Sequence, residues 1–252
     1  GENHGYYSDF DTRDAVVKAF EEVFFHNGTF SSFREKNWGD EVDPQMDRRK
    51  FMIFSQNHDQ VGNRAIGDRP SRVLDDKQLA SLVALVLLSP YTPMLFQGEE
   101  WGSKGQFLFF SDQEGDEAMA KAMRDGRRAE FASHGWDAIY GERVVVPDPT
   151  ARSSFDDSKL DWKERDTDRG QRMMDWYKSL IQLRRKLATE GEKVSMEWSR
   201  DLLILHLPTF DVVVNFGAED VAVDANSVEL SWSDAPRNGV LPTHEVTVLR
   251  TA

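Results

Sequence analysis

The sequence predicts an α/β fold followed by a small all-β domain, and three patterns carry that expectation. Two short, unbroken apolar runs, Phe51–Phe54 and Pro93–Phe96, flank a stretch with helical periodicity. Strand, helix, strand over that length is a βαβ unit, whose right-handed crossover builds a parallel sheet. A stripe through Met173, Trp176, Tyr177, Leu180, Leu183 and Leu187 marks a long helix suited to covering such a sheet. Beyond Gly191 the character changes to short β-rich stretches separated by turn residues.

Taken in order, the first element is a helix. Asp11 is a candidate N-cap with Asp14 three positions on, and Val16, Phe20, Val23 and Phe24 recur at helical spacing until Asn27-Gly28 offers a stop. The run at 51–54 is too short for a helix and has no polar alternation, the pattern of a strand buried on both faces. Asp75-Asp76 open a second helix in which Leu79, Leu82, Val83 and Val86 share a face, and Ser89-Pro90 end it. From Trp101 to about Gly170 the pattern weakens into loops and a short helix around 117–131, an insertion of the kind that sits on a functional rim. Val194–Trp198, Leu202–Leu207, Val212–Phe216, Val228–Trp232 and Val246–Leu249 read as strands of a small antiparallel sandwich. The expected boundary lies near 188–193, giving domains 1–190 and 191–252.

Composition excludes several function classes. The 252 residues are 39% hydrophobic, enough for a buried core, and carry a net charge of −13. A diffuse acidic surface repels phosphate backbones, so nucleic acid is not an expected partner. Cysteine is absent, which removes disulfides, thiolate nucleophiles and cysteine zinc sites and suits a cytoplasmic protein. The apolar run Leu79–Leu88 is too short to cross a bilayer, no secretory signal is read at Gly1, and no membrane partner is expected. His4, His26, His134, His206 and His244 lack ligand spacing, and no nucleotide-cradling glycine string or nucleophile-elbow serine occurs. No metal and no cofactor is expected.

Chemistry concentrates where the two apolar runs end. Gln56, Asn57, His58, Asp59 and Gln60 follow the first, with Val61-Gly62-Asn63-Arg64 behind them, and in α/β proteins that edge of the sheet binds ligands. The structural alternative has Asp59 capping a turn and His58 satisfied in a loop. Gln97-Gly98-Glu99-Glu100-Trp101 follow the second run, adjacent carboxylates beside an aromatic plate, a combination suited to carbohydrate. Here the alternative pairs one glutamate with Arg64 or Arg69 and packs Trp101 in the core. For Arg64, cleft lining and ion pairing both stand. Trp101, Phe107, Phe109 and Phe110 form either a stacking wall for sugar rings or part of the core. Tyr6 and Tyr7 precede the first helix and are weaker rim candidates.

The string FMIFSQNHD, residues 51–59, resembles the seventh-strand motif of the α-amylase superfamily, glycoside hydrolase family thirteen, and PMLFQGEE, residues 93–100, resembles its eighth-strand motif. QNHDQVGNRAIGDR, GEEWGSKGQFLFFSD, RDGRRAEF and VPDPTARSSFDDSKLDW are similar to the malto-oligosyltrehalose trehalohydrolases within it. The resemblance covers most of residues 5–188. It implies a TIM (β/α)8 barrel of which this chain supplies strands seven and eight with their helices, followed by the β domain. It implies metal-independent, retaining hydrolysis of the α-1,4-glucosidic bond beside the trehalose end of maltooligosyl trehalose. The aspartate nucleophile and glutamate acid/base of that chemistry follow strands four and five, which precede Gly1, so the isolated chain is expected to be inactive. Asp59 matches the third carboxylate, a transition-state stabiliser, and His58 a donor to the same sugar. Asn57, Gln60 and Arg64 fall in the matching string as further substrate contacts. Glu100 matches the eighth-strand glutamate, with Trp101 beside it, and ranks below Asp59.

Two other functions fit less of the sequence: an α-glucan branching or debranching enzyme, and a non-catalytic carbohydrate-binding or assembly module. Expected partners are maltooligosyl trehalose or another α-glucan and the missing N-terminal part. Strands left with open edges also invite a homo-oligomer.

Overall fold

A computed structural model describes residues 8–133, 140, 144–187 and 194–251. In chain order the elements are α1 (Arg13–Glu22), β1 (Thr29–Ser31), β2 (Lys36–Trp38), β3 (Met52–Ile53), α2 (His58–Gly62), α3 (Pro70–Val73), α4 (Asp76–Leu88) and β4 (Thr92–Pro93). Then come α5 (Glu117–Ser133), α6 (Arg152–Asp156), α7 (Asp168–Lys186) and seven strands, β5 (Ser195–Ser199), β6 (Leu202–His206), β7 (Phe210–Asn215), β8 (Val221–Ala222), β9 (Val228–Ser231), β10 (Val240–Leu241) and β11 (Val246–Arg250). Tyr6, Tyr7, His4 and His134 lie outside the described residues, as does the expected boundary at 188–193.

The chain forms two compact units. The first comprises 1–55, 75–94 and 172–252, the second 56–74 and 95–171. The first unit therefore takes α4 and, from Arg172 on, α7 together with the C-terminal sheet, whereas the sequence alone places those helices with the N-terminal part. Packing explains the difference. Trp176 of α7 donates its indole N–H to the Ala80 carbonyl of α4 at 3.0 Å and meets Trp232 edge-on at 5.7 Å. Arg184 near the end of α7 donates to the carbonyls of Leu87, Ser89 and Tyr91, satisfying acceptors that the end of α4 leaves open. Lys77 of α4 pairs with the buried Glu245 at 2.9 Å.

Helix α4 starts on a capping box in which the side chains of Asp75 and Gln78 each accept from the other's backbone N–H. It is buried almost all round, from Leu79 to Leu88 with Leu82 only half-covered, and not on one face alone. Helix α1 starts on Thr12, whose hydroxyl accepts from Ala15 N at 3.2 Å, not on Asp11. It also stops at Glu22, before Asn27-Gly28, because Val23 turns to φ 77° and breaks the helical path.

The two apolar runs pair in parallel with register Met52↔Thr92 and Ile53↔Pro93. Each strand has only two residues, and Met52 is 64% exposed, so the expectation of burial on both faces is not met. A parallel strand is covered on both faces only when further strands and helices close over it, and among the described residues β3 and β4 pair with no other strand. The five C-terminal stretches do form an antiparallel sheet, ordered β5-β6-β7-β11-β9, with β8 and β10 as a separate two-stranded ribbon. Leu203, Leu205, Val212, Val214, Val246 and Val248 supply its buried side.

The second unit is built around α5 and the long segment after β4. Ala65 and Phe131 form a buried apolar cluster in it, with Ile66, Tyr140, Val144 and Val146 packed against them.

Candidate functional site

Every residue singled out after the two apolar runs belongs to the second unit. Asn57 has extended backbone and its side-chain oxygen accepts from Gln60 N at 2.7 Å, so it is the N-cap of α2. His58 and Asp59 are thereby fixed on the first helical turn, directly downstream of β3. Their side chains stand 71% and 75% exposed, 3.5 Å apart. Gln60 is exposed beside them, while Gln56 is 5% exposed, and its amide oxygen meets no donor among the described residues. The capping role that one alternative gave to Asp59 falls to Asn57, and Asp59 makes no cap bond. A carboxylate held on a rigid turn but left in solvent is available to a ligand.

The far end of α2 is clamped from α5. Arg127, 8% exposed, donates to Asn63 Oδ1 at 2.7 Å and to the Gly62 carbonyl, and lies over the rings of Phe109 and Phe131. A cation at a helix C-terminus complements its exposed carbonyls. Burial lowers the Arg127 pKa from its ordinary value, and Glu130 pulls it back.

Arg64 turns away from the exposed cluster. It pairs with the buried Asp68 at 3.1 Å and lies over the Tyr140 ring, whose hydroxyl donates to the same carboxylate. Its ion-pairing role is therefore observed. Burial first, and the bond to Asp68 second, raise the Tyr140 pKa.

The second motif forms a single 3-10 turn, Glu99–Trp101, entered through Gly98 at φ 85°. That positive φ favours glycine, and a Cβ there would also press within 2.6 Å of the Leu160 side-chain end. Glu99 is 6% exposed, whereas Glu100 is half-buried and is the more accessible carboxylate. Trp101 is 3% exposed and packs on Trp162 at 5.2 Å, so its place among substrate-binding residues is corrected to a core position. Of the other aromatic candidates, Phe109 and Phe110 keep exposed edges and Phe107 is half-buried against Phe96.

Arg69 joins the two motif loops. Only 1% exposed, it donates to the Gln97 carbonyl at 2.8 Å and the Gly105 carbonyl at 2.7 Å, and lies 4.8 Å over Phe96. Burial lowers its pKa, while Glu99, Glu164 and Glu100 act in the opposite direction. Neighbouring contacts extend the seam: Phe107 N donates to the Gly67 carbonyl at 2.8 Å, and Arg72 Nε to the Lys104 carbonyl at 3.0 Å. Sequence reasoning named Arg69 only as a possible partner of a glutamate, and nothing in its spacing disclosed two backbone carbonyls 28 and 36 residues away. Among the described residues no cluster of three His, Asp or Glu side chains could hold a metal, and no helix is long and apolar enough to span a membrane.

No family model matches the chain. The malto-oligosyltrehalose trehalohydrolase of Arthrobacter ramosus is 46% identical over 191 residues, covering 76% of this chain and 32% of that protein. Proteins of the same name from Rhizobium sp. strain M-11 and Mycobacterium tuberculosis are 39% and 34% identical, covering 99% and 100% of this chain and 43% and 44% of their own length. The chain thus spans less than half the length of these relatives. The 1.4 Å crystal structure of an α-amylase candidate from Salmonella typhimurium superimposes with a TM-score of 0.81 at 31% identity, over all of this chain and 44% of that one.

Proposed function

The chain belongs with the malto-oligosyltrehalose trehalohydrolases of the α-amylase superfamily, matching the C-terminal part of such a protein, and from that premise we propose that it forms part of a retaining glycoside hydrolase. The bond cleaved is the α-1,4-glucosidic linkage beside the trehalose end of maltooligosyl trehalose, and the products are trehalose and a shorter glucan. In this reading β3 and β4 are strands seven and eight of a (β/α)8 barrel, and the protein works in the cytoplasm.

One observation carries the reading: Asp59 stands exposed on a turn locked by Asn57 and Arg127, directly after a parallel strand. Retaining hydrolysis places two carboxyl groups about 5 to 5.5 Å apart, one attacking the anomeric carbon and the other protonating the leaving oxygen. Those two come from the upstream portion. Asp59 holds hydroxyls of the sugar beside the scissile bond and favours the distorted, oxocarbenium-like ring, and His58 donates to the same sugar. Gln60 and Glu100 line the entry. Arg64 contributes through the Asp68 pair, not through direct contact.

The test is product analysis with maltooligosyl trehalose. The 252-residue chain alone is expected to release no trehalose, and the chain joined to the upstream portion to release it. Trehalose from the chain alone overturns the assignment of the catalytic pair. Branched or debranched glucans from the joined protein point instead to the related α-glucan enzymes, and binding without turnover points to a non-catalytic module.

A further inference from the structure

The first unit carries a cleft of 610 Å³ that the hydrolase reading does not use, and we propose that it binds a free basic amino acid of the lysine type, carboxylate inward and ammonium groups outward. Its walls come from the end of α1, the segment leading into β3 and the start of β5, and they include Glu21, Glu22, Asn27, Glu41, Arg48 and Ser195. A volume of this order is that of a small-molecule site. None of these residues belongs to the second unit, which holds Asp59.

Arg48 selects one end of the ligand. It is 5% exposed, its Nη2 donates to the Glu21 carbonyl at 3.2 Å, and its Nη1 meets no acceptor among the described residues. A buried guanidinium with an open N–H is costly until an acceptor reaches it, and a carboxylate matches its planar fork best. The rest of the wall calls for the opposite charge. Glu21 accepts from Met196 N at 2.9 Å and Glu22 from Asn27 Nδ2 at 2.6 Å, each through one oxygen. Glu41 is exposed and makes no hydrogen bond or ion pair among the described residues. Three carboxylates against one guanidinium leave two negative charges in excess, and Lys18, 3.9 Å from Glu22, offsets one of them. A lysine molecule, with one carboxylate and two ammonium groups, supplies both the acceptor for Arg48 and the remaining positive charge. Other classes satisfy one end only. A dicarboxylate or phosphate is repelled by the glutamates, a diamine leaves Nη1 without an acceptor, and a sugar finds no aromatic face in the lining among the described residues.

The probe is L-lysine, titrated calorimetrically into the 252-residue chain, with cadaverine, which lacks the carboxylate, and glutarate, which lacks the ammonium groups, as controls. L-lysine is expected to saturate one site, and each control to bind at least about tenfold more weakly. Cadaverine or glutarate that matches L-lysine overturns the proposal, and so does L-lysine that fails to bind. Glu41→Gln removes the charge of an exposed side chain and is expected to weaken L-lysine about tenfold. Arg48→Gln, with circular dichroism reporting whether it folds, is expected to bring L-lysine down to the affinity of cadaverine; should it not fold, Glu41→Gln decides. Wild-type affinity in the Glu41→Gln protein, or in a folded Arg48→Gln protein, overturns the site. Amide exchange locates the ligand: L-lysine is expected to protect 21–27 and 41–48, and protection confined to other segments overturns the proposal. Loss of binding on joining the upstream portion assigns the cleft to intramolecular packing and overturns it as well.

Discussion

Replacing Arg69 with methionine isolates the seam that holds the two motif loops together. Methionine fills the aliphatic part of the space and keeps contact with Phe96. It leaves the Gln97 and Gly105 carbonyls, 2.8 and 2.7 Å from the guanidinium in the native protein, without their donor. A hydrogen bond from a charged donor contributes about 1.5–3 kcal/mol, so two such bonds set an upper bound of about 6 kcal/mol. The guanidinium is itself buried, with Arg69 1% exposed, and relief of that burial offsets part of the loss. Glu99 loses its neighbouring cation and opposes that relief. The net expectation is a destabilisation of about 3 kcal/mol, in the range seen when one member of a buried charged network is removed. Urea unfolding followed by tryptophan fluorescence measures the total, and amide exchange over 97–107 measures the local effect. Arg69→Lys should fall between, because one ammonium on a flexible stem cannot replace a planar fork aimed at two carbonyls. An Arg69→Met protein within about 0.5 kcal/mol of wild type, with unchanged exchange at 97–107, would refute the claim that this side chain fixes the second loop.

Three further outcomes follow from the same contacts. Gly67→Ala should destabilise by about 2 kcal/mol in urea, because Gly67 sits at φ 61° and a Cβ there would lie 2.5 Å from the Phe107 carbonyl oxygen; a neutral result would mean that the 67–107 crossing is loose. The Tyr140 pKa is raised in the folded chain, by burial first and the Asp68 bond second, so its contribution is fully present below pH 10, its ordinary value, and is lost as pH rises through the folded value. Tyr140→Phe should therefore remove part of the alkaline loss of stability, seen as a flatter melting temperature as pH rises above about 10; an unchanged slope would contradict the assignment. Finally, β3 and β4, which among the described residues pair only with each other, and the exposed Met52 predict a dimer or larger species in light scattering, and a monodisperse monomer would count against that expectation.

What the sequence discloses follows from how strongly each position repeats a period. The stripe from Met173 to Leu187 and the apolar run of α4 are long enough to fix helices, and the five C-terminal stretches alternate well enough to fix strands. The hairpin of β1 and β2 leaves no sequence signal, because it buries only Ser31 and shows no alternation. That α4 packs with α7 could not be read locally, because the contacts that join them lie between residues 96 and 97 apart and leave no local signature. At the site, QNHD was legible as a turn after a strand. The division of labour within it was not: Asn57 takes the cap and Asp59 stays free of it. Arg64 and Trp101 belong to structure through Asp68 and Trp162, partners that no spacing rule links to them. Arg127, inside the RDGRRAEF string, carries no sequence signal of its clamp, because an arginine on an amphipathic helix ordinarily faces solvent.

On the proposed reading Asp59 serves chemistry and not folding. Trehalose release from maltooligosyl trehalose, measured for the chain joined to its upstream portion with and without Asp59→Asn, tests this most directly. Because the side chain is 75% exposed and makes no cap bond, the unfolding midpoint should not move, while turnover should fall by about 100-fold to 1,000-fold. An Asp59→Asn protein that turns over like wild type, or one that loses activity only in step with its stability, would contradict the account.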